Sequence, residues 1–191
     1  MIIVEGPDFV GKTTLCRKLT GILGGHGVPA VYQHFTRLPS CWDYYWDYLP
    51  YIQRTTVMDR FHLSEWAYAH ARGEVSPLTP EKMALLGARL TDAGAVVVVV
   101  TATEDRLKHE HAVQGDDEMY RLETILRANT WYRSHVTGRR PMHDLHYELT
   151  AGCPYPSGCD AFVDDICALW RARQDFLVGI KLRGRNNPWI G

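Results

Sequence analysis

Near its start the chain reads MIIVEGPDFVGKTTLCRKL, and the stretch GPDFVGKT, Gly6 to Thr13, constrains the fold more than any other. It fits G-x4-G-K-[ST] in full. A short β-branched run, Ile2 to Val4, precedes it, and a helical pattern from about Lys12 to Leu23 follows. In that strand–loop–helix setting the glycines permit a tight turn whose backbone N–H groups point at phosphate oxygens, beside the positive end of a helix dipole. Gly6, Pro7, Asp8, Phe9, Val10, Gly11, Lys12, Thr13 and Thr14 are the predicted contacts of a nucleoside triphosphate. Lys12 is expected to reach the β- and γ-phosphates and Thr13 to ligate Mg²⁺. The motif is silent on where the phosphate goes.

The rest of the chain alternates strands and helices. VYQHF and TTVMD (55–59) read as the second and third strands, with helical patterns at His62 to Arg72 and Pro80 to Asp92. AVVVVVT, starting at Ala95, is a continuous β-branched run, the mark of a strand buried on both faces of a parallel sheet. A helix is predicted from about Asp117 to His135, a strand near His146 to Leu149, and a helix from about Asp160 to Gln174. This pattern predicts an α/β three-layer domain with a mainly parallel sheet over residues 1–175. The remainder, 176–191, lacks a clear period and is predicted as a loop or docking arm.

Composition removes several classes of function. With 21 Lys and Arg against 22 Asp and Glu, the chain lacks the basic excess of a general nucleic-acid binder. The run Ala95 to Val100 is too short to span a bilayer, so no membrane partner is expected. Five cysteines without metal-ligand spacing read as free thiols of a reducing compartment. No signal peptide is expected, and the chain reads as cytosolic. Oligomeric state is left open, a homodimer included.

A motor ATPase would end its strongest strand in an acid, but VVVVVT ends in Thr101 and Ala102. Only TTVMDR does so, with Asp59 followed at once by Arg60. Such a pair suits phosphoryl transfer between two bound molecules. The carboxylate serves the metal or the attacking hydroxyl, and the arginine clamps acceptor or transferring phosphate.

In order, VEGPDFVGKTT, FTRLP (35–39) and MDRFHLSEWAYA resemble the phosphate loop, the T-R-E-P segment and the Asp-Arg motif of the thymidylate-kinase-like P-loop nucleotide kinases, particularly their small bacteriophage members. The resemblance covers roughly residues 1–135. It implies a P-loop kinase fold with a five-stranded parallel sheet, ATP and Mg²⁺, a thymine-type deoxynucleotide acceptor, and host cytoplasm as the setting. It also implies that Asp8 faces the deoxyribose side of the acceptor and that Arg37 binds the acceptor. Departures accompany it. Leu38 replaces the glutamate of T-R-E-P, and Ser40 and Cys41 stand where glycines usually follow. Asp59 follows His34 by only 25 positions, a segment that in relatives is much longer and forms a wall over the acceptor. The lid, about 104–118, offers Arg106 and Lys108 for the transferred phosphate but no arginine pair.

A short wall and weak lid point to a larger acceptor. The favoured reading is the hydroxymethyl group of 5-hydroxymethyluracil within DNA, as certain phage relatives phosphorylate, with Asp8 or Asp59 as the base. Free thymidylate, or another deoxynucleoside or deoxynucleotide, is the alternative. An acceptor-independent ATPase switch is the third. The segment CWDYYWDYLPY, 41–51, holds six aromatic rings. On a helical wheel Trp42, Tyr45, Trp46 and Leu49 form the docking face, which leaves Tyr44 and Tyr48, with Tyr51 nearby, to line the acceptor cleft and stack on a base.

Overall fold

Seven residues in succession, Val96–Ala102, are buried in one strand, as its five consecutive valines require, and the polar Thr101 among them is bonded to His146 at 2.8 Å. The computed structural model describes residues 1–35, 44–52, 55–114, 121–137 and 142–185, with only the backbone at 44, 114 and 179–185. Strands β1 (Ile2–Glu5), β2 (Val31–His34), β3 (Thr56–Asp59), β4 (Val96–Ala102) and β5 (Leu145–Leu149) form one parallel sheet in the order β2-β3-β1-β4-β5. Ile2 pairs in register with Val57 on one side and Val96 on the other. The five-stranded sheet is therefore as predicted.

The period-two geometry of the strands sorts their side chains into two cores. Ile3, Met58, Val97 and Val99 face one layer, which holds α2 (Tyr44–Ile52), α3 (His62–Arg72), α4 (Pro80–Asp92) and α6 (Leu122–Val136). Ile2, Val4, Val57, Val98 and Val100 face the other, against Leu15 and Leu19 of α1 (Lys12–Gly25) and Phe162 and Ile166 of α7 (Asp160–Arg185). A shorter helix, α5 (Glu104–Gln114), follows β4. Asn129 of α6 pins the end of β4, accepting from the Ala102 N–H at 3.1 Å and donating to its carbonyl at 2.8 Å.

Three expectations change. The helix predicted to end near Gln174 continues to Arg185, through the boundary drawn at 175, because no proline interrupts it before Pro188. The helix expected from Asp117 begins at Leu122, and 115–120 lie outside the described residues. The third concerns α2, where the docking face is rotated from the one expected. Tyr48 and Ile52 are buried, Tyr45 and Leu49 pack partly against the core, and Trp46 is 65% exposed. Tyr48 is 0% exposed, with its ring 5.6 Å from Phe35 and 4.3 Å from Phe61. Its hydroxyl donates to Glu65 Oε1 at 3.1 Å. Tyr48 is thus a core residue and not a stacking ring of an acceptor cleft. Tyr51 likewise packs on Phe35, at 4.9 Å. The side chain of Tyr44 and all of Arg37 and Trp42 lie outside the described residues.

Candidate active site

β1 ends at Glu5, and the loop from Gly6 carries the chain over the C-terminal edge of the sheet into α1. Gly6 has φ +145°, and a Cβ there would collide with the Val100 carbonyl. Gly11, the residue before α1, has φ +79°, and a Cβ would lie 2.7 Å from the Tyr155 ring. Both positions therefore demand glycine on two counts, conformation and space. Lys12 is buried and donates from Nζ to the Pro7 carbonyl, folded back over its own loop. Burial holds its pKa below the ordinary 10.5, while the negative charges of Asp59 and Glu5 oppose that shift.

A cavity of about 410 Å³ opens above the loop, lined by Asp8, Phe9, Gly11, Lys12, Thr13, Thr14, His34, Asp59, Arg60, Tyr155 and Ser157. Asp59, at the end of β3, is 0% exposed. Its Oδ2 accepts from Thr13 Oγ1 at 2.5 Å and from the Tyr32 hydroxyl at 3.2 Å, and lies 3.0 Å from His34 Nδ1. Its Oδ1 has no hydrogen-bond partner among the described residues. Arg60 follows in a left-handed conformation, φ +68°, and its guanidinium pairs with Asp8. Tyr68 of α3 completes that cluster. Its hydroxyl donates to Asp8 Oδ2 at 2.5 Å and accepts from the Asp8 N–H at 3.1 Å, and its ring lies 5.0 Å from the Arg60 guanidinium carbon.

On the opposite side, the one-turn helix Pro156–Gly158 brings Tyr155 and Ser157 to the loop. Lys18 of α1 ties it down, donating to the Ser157 carbonyl at 2.8 Å and pairing with Asp160. Arg106 lies 5.2 Å above the Tyr155 ring and bonds Glu110 at 2.6 Å, and the Tyr155 hydroxyl donates to the same carboxylate. Arg106 thus acts on this edge of the cavity through Tyr155. Lys108 does not reach it. It is paired with Glu104 at 2.7 Å on the exposed side of α5 and does not line the cavity, contrary to expectation.

The residues present fit a magnesium nucleotide. Two glycines make room for phosphates, Lys12 supplies a buried cation, and the bare Asp59 Oδ1 beside Thr13 can take a metal or its water. Among the described residues no three His, Cys, Asp or Glu side chains form a metal cluster.

The structure brings Asp8, Lys12, Thr13, Asp59 and Arg60 to the lining of one cavity. Sequence reasoning assigned no role to Glu5, Tyr32, His34, Tyr68, Tyr155 or Ser157. Glu5 left one clue, a lone acid at the end of the apolar run IIVE. The aromatic contacts of Tyr68 and Tyr155 are tertiary and left none.

No protein-family model and no curated protein matches the chain. Among solved structures, the YorR protein of Bacillus subtilis, crystallised in complex with phosphorylated GDP, is similar with a TM-score of 0.65 at 21% identity. The match covers 91% of this chain and 97% of YorR. A gluconokinase from Sinorhizobium meliloti is similar with a TM-score of 0.47 at 12% identity, over 93% of this chain and 95% of the other, too distant to add to the argument. The likeness to YorR shows the fold, a five-stranded parallel α/β architecture. Among the described residues no helix is long and apolar enough to cross a membrane.

Proposed function

We propose that the chain is a P-loop phosphotransferase that moves the γ-phosphoryl group of ATP to a hydroxyl on a thymine-type nucleotide. The observation that carries this reading is the convergence of Lys12, the Thr13–Asp59 bond and the Asp8–Arg60 pair on one cavity. A nucleotide switch needs the first two. The third belongs to a protein that also holds an acceptor, since Asp8 and Arg60 offer an acid and a guanidinium side by side.

Mg²⁺, when bound beside Thr13 and Asp59, neutralises charge on the phosphates. Lys12 holds the β- and γ-phosphates, and Arg60, once released from Asp8, meets the equatorial oxygens of the transferring group. The acceptor oxygen attacks the γ-phosphorus as the bond to the bridging oxygen breaks, and ADP leaves. The hydroxyl proton passes to a carboxylate. Asp8 suits this better than Asp59, because its side chain is 14% exposed whereas that of Asp59 is 0% exposed and engaged by Thr13. A carboxylate in that place repels a phosphate dianion and accepts from a hydroxyl, which favours a hydroxyl acceptor.

The favoured acceptor is the hydroxymethyl group of 5-hydroxymethyluracil in DNA. What supports it is the short β2–β3 connection, which leaves little chain to wall off the acceptor side of the cavity; Tyr48 and Tyr51 of its one described helix pack in the core and add nothing to this reading. A free thymidylate-type deoxynucleotide is the second reading, favoured by Arg60, whose guanidinium suits a monophosphate. The test supplies γ-labelled ATP with thymidine, dTMP, ordinary DNA and DNA containing 5-hydroxymethyluracil. Label on the modified DNA alone is expected. Label on dTMP alone sinks the DNA reading, and label on neither with steady ADP release favours a hydrolytic switch.

A further inference from the structure

β1 ends in a carboxylate to which the chemistry above gives no task. Glu5 is 0% exposed. Its Oε1 accepts the backbone N–H groups of Phe61 at 3.0 Å and Leu63 at 2.9 Å. Its Oε2 accepts from Ser64 Oγ at 2.6 Å and from the Tyr132 hydroxyl at 3.3 Å. Phe61 is the N-cap of α3 and has no polar side-chain atom. Glu5 therefore supplies, from another element, the acceptor that Ser or Asp usually provides at a helix N-terminus.

The geometry on either side of Arg60 gives this cap a further consequence. Arg60 donates its N–H to the Val4 carbonyl at 2.9 Å, and the next residue is bonded to Glu5. The last two residues of β1 thus grip the chain before and after a side-chain-bearing residue at φ +68°. That conformation is disfavoured outside glycine and persists only where the surroundings over-determine it. It is also what turns the Arg60 guanidinium toward Asp8 while Asp59 stays bonded to Thr13.

We propose that Glu5 is a positioning residue for phosphoryl transfer: through two backbone hydrogen bonds it fixes the Asp59–Arg60 turn, and it does so as an acceptor of defined reach and not as a charge. The role rests on the phosphotransferase reading. Groups that face Glu5 are Lys12 from α1, His62 and Ser64 from α3 and Tyr132 from α6. Ser64 and Tyr132 are hydroxyls 3.0 Å apart that can donate or accept, so a proton or an amide at Oε2 is accommodated without disturbing Oε1.

Two variants separate reach from charge. Glu5→Gln loses the charge and keeps an oxygen at Oε1. Glu5→Asp keeps the charge and is one methylene short of both N–H groups. Steady-state transfer of label from MgATP to the acceptor found in the panel above is measured with each, from about pH 6 to pH 8. E5Q is expected to keep kcat within a few-fold of wild type across that range. E5D is expected to lose about 10²-fold in kcat, as a small misplacement of a catalytic pair does, with KM for ATP unchanged because the phosphate loop is intact. Hydrogen exchange of the Phe61 and Leu63 amides, which needs no acceptor, should quicken in E5D and stay slow in E5Q. E5D with wild-type kcat, or E5Q as slow as E5D, overturns the proposal while leaving the kinase reading standing. A wild-type protein that labels no acceptor overturns both.

Discussion

Glu5 also offers a quantitative test of the core, because its charge sits where water does not reach. Burial raises its pKa from the ordinary 4.5 to about 7, against the hydrogen bonds of Ser64, Leu63 and Tyr132 and the charge of Lys12, which pull it down. A raised carboxyl contributes stability that is fully present below about pH 4.5 and is lost as pH rises through about 7. Each tenfold change in proton affinity is worth about 1.4 kcal/mol, so ionised Glu5 costs the fold about 3 kcal/mol at about pH 8. His62 works in the opposite sense. Burial lowers its pKa from 6.5 to about 3, so its contribution grows as pH rises through that interval. The wild-type profile is therefore a sum in which the two partly cancel, and the difference between E5Q and wild type isolates Glu5. Urea unfolding followed by tryptophan fluorescence, repeated from about pH 4 to pH 8, gives that difference. It should be small near pH 4 and grow to as much as about 3 kcal/mol in favour of E5Q near pH 8. An E5Q protein less stable than wild type at the upper end would refute the reasoning. It would show that the helix dipole and the two N–H bonds outweigh desolvation of the carboxylate.

Other perturbations follow from the same geometry. Gly11→Ala should weaken MgADP binding in calorimetry by about tenfold or more, from a left-handed penalty of about 1–2 kcal/mol and a collision with Tyr155. Tyr155→Ala added to it should relieve the collision alone, so full recovery would contradict the backbone part of the account. Tyr48→Ala should cost about 3–4 kcal/mol in urea unfolding and leave acceptor KM unaltered. A raised acceptor KM without lost stability would return that ring to the cleft. Asp59→Asn should lower kcat by at least about 10²-fold and raise the Mg²⁺ concentration needed for half-maximal rate; near-normal activity would remove Asp59 from the site.

The parts of this protein visible in the sequence are those governed by local rules. Gly6 and Gly11 are required by backbone angles, and the strand–loop–helix around them follows from short-range pattern. Five consecutive valines from Val96 can be buried only on both faces of a sheet. Asp59 was visible because a single acid closed a buried strand. Residues whose role depends on an element far away in the chain were not visible. A helical wheel assigns Tyr48 to the cleft, but the direction of burial is set by Phe35 and Phe61, which lie outside α2. Lys108 and Arg106 are near neighbours on α5, yet only Arg106 finds Tyr155, because that ring arrives from the turn before α7. Glu5 looked like a strand end until the α3 N-terminus was placed against it. The sequence pattern ends α7 near Gln174, whereas the helix continues to Arg185.

The central claim is that the cavity transfers phosphate to a second bound molecule and does not merely hydrolyse ATP. Its most direct test is ADP formation from MgATP with wild type and Lys12→Ala, with and without DNA containing 5-hydroxymethyluracil. The account predicts ADP only when the acceptor is present, one label on the acceptor for each ADP formed, and neither product with Lys12→Ala. ADP released at the same rate without acceptor, and no label on the DNA, would contradict it.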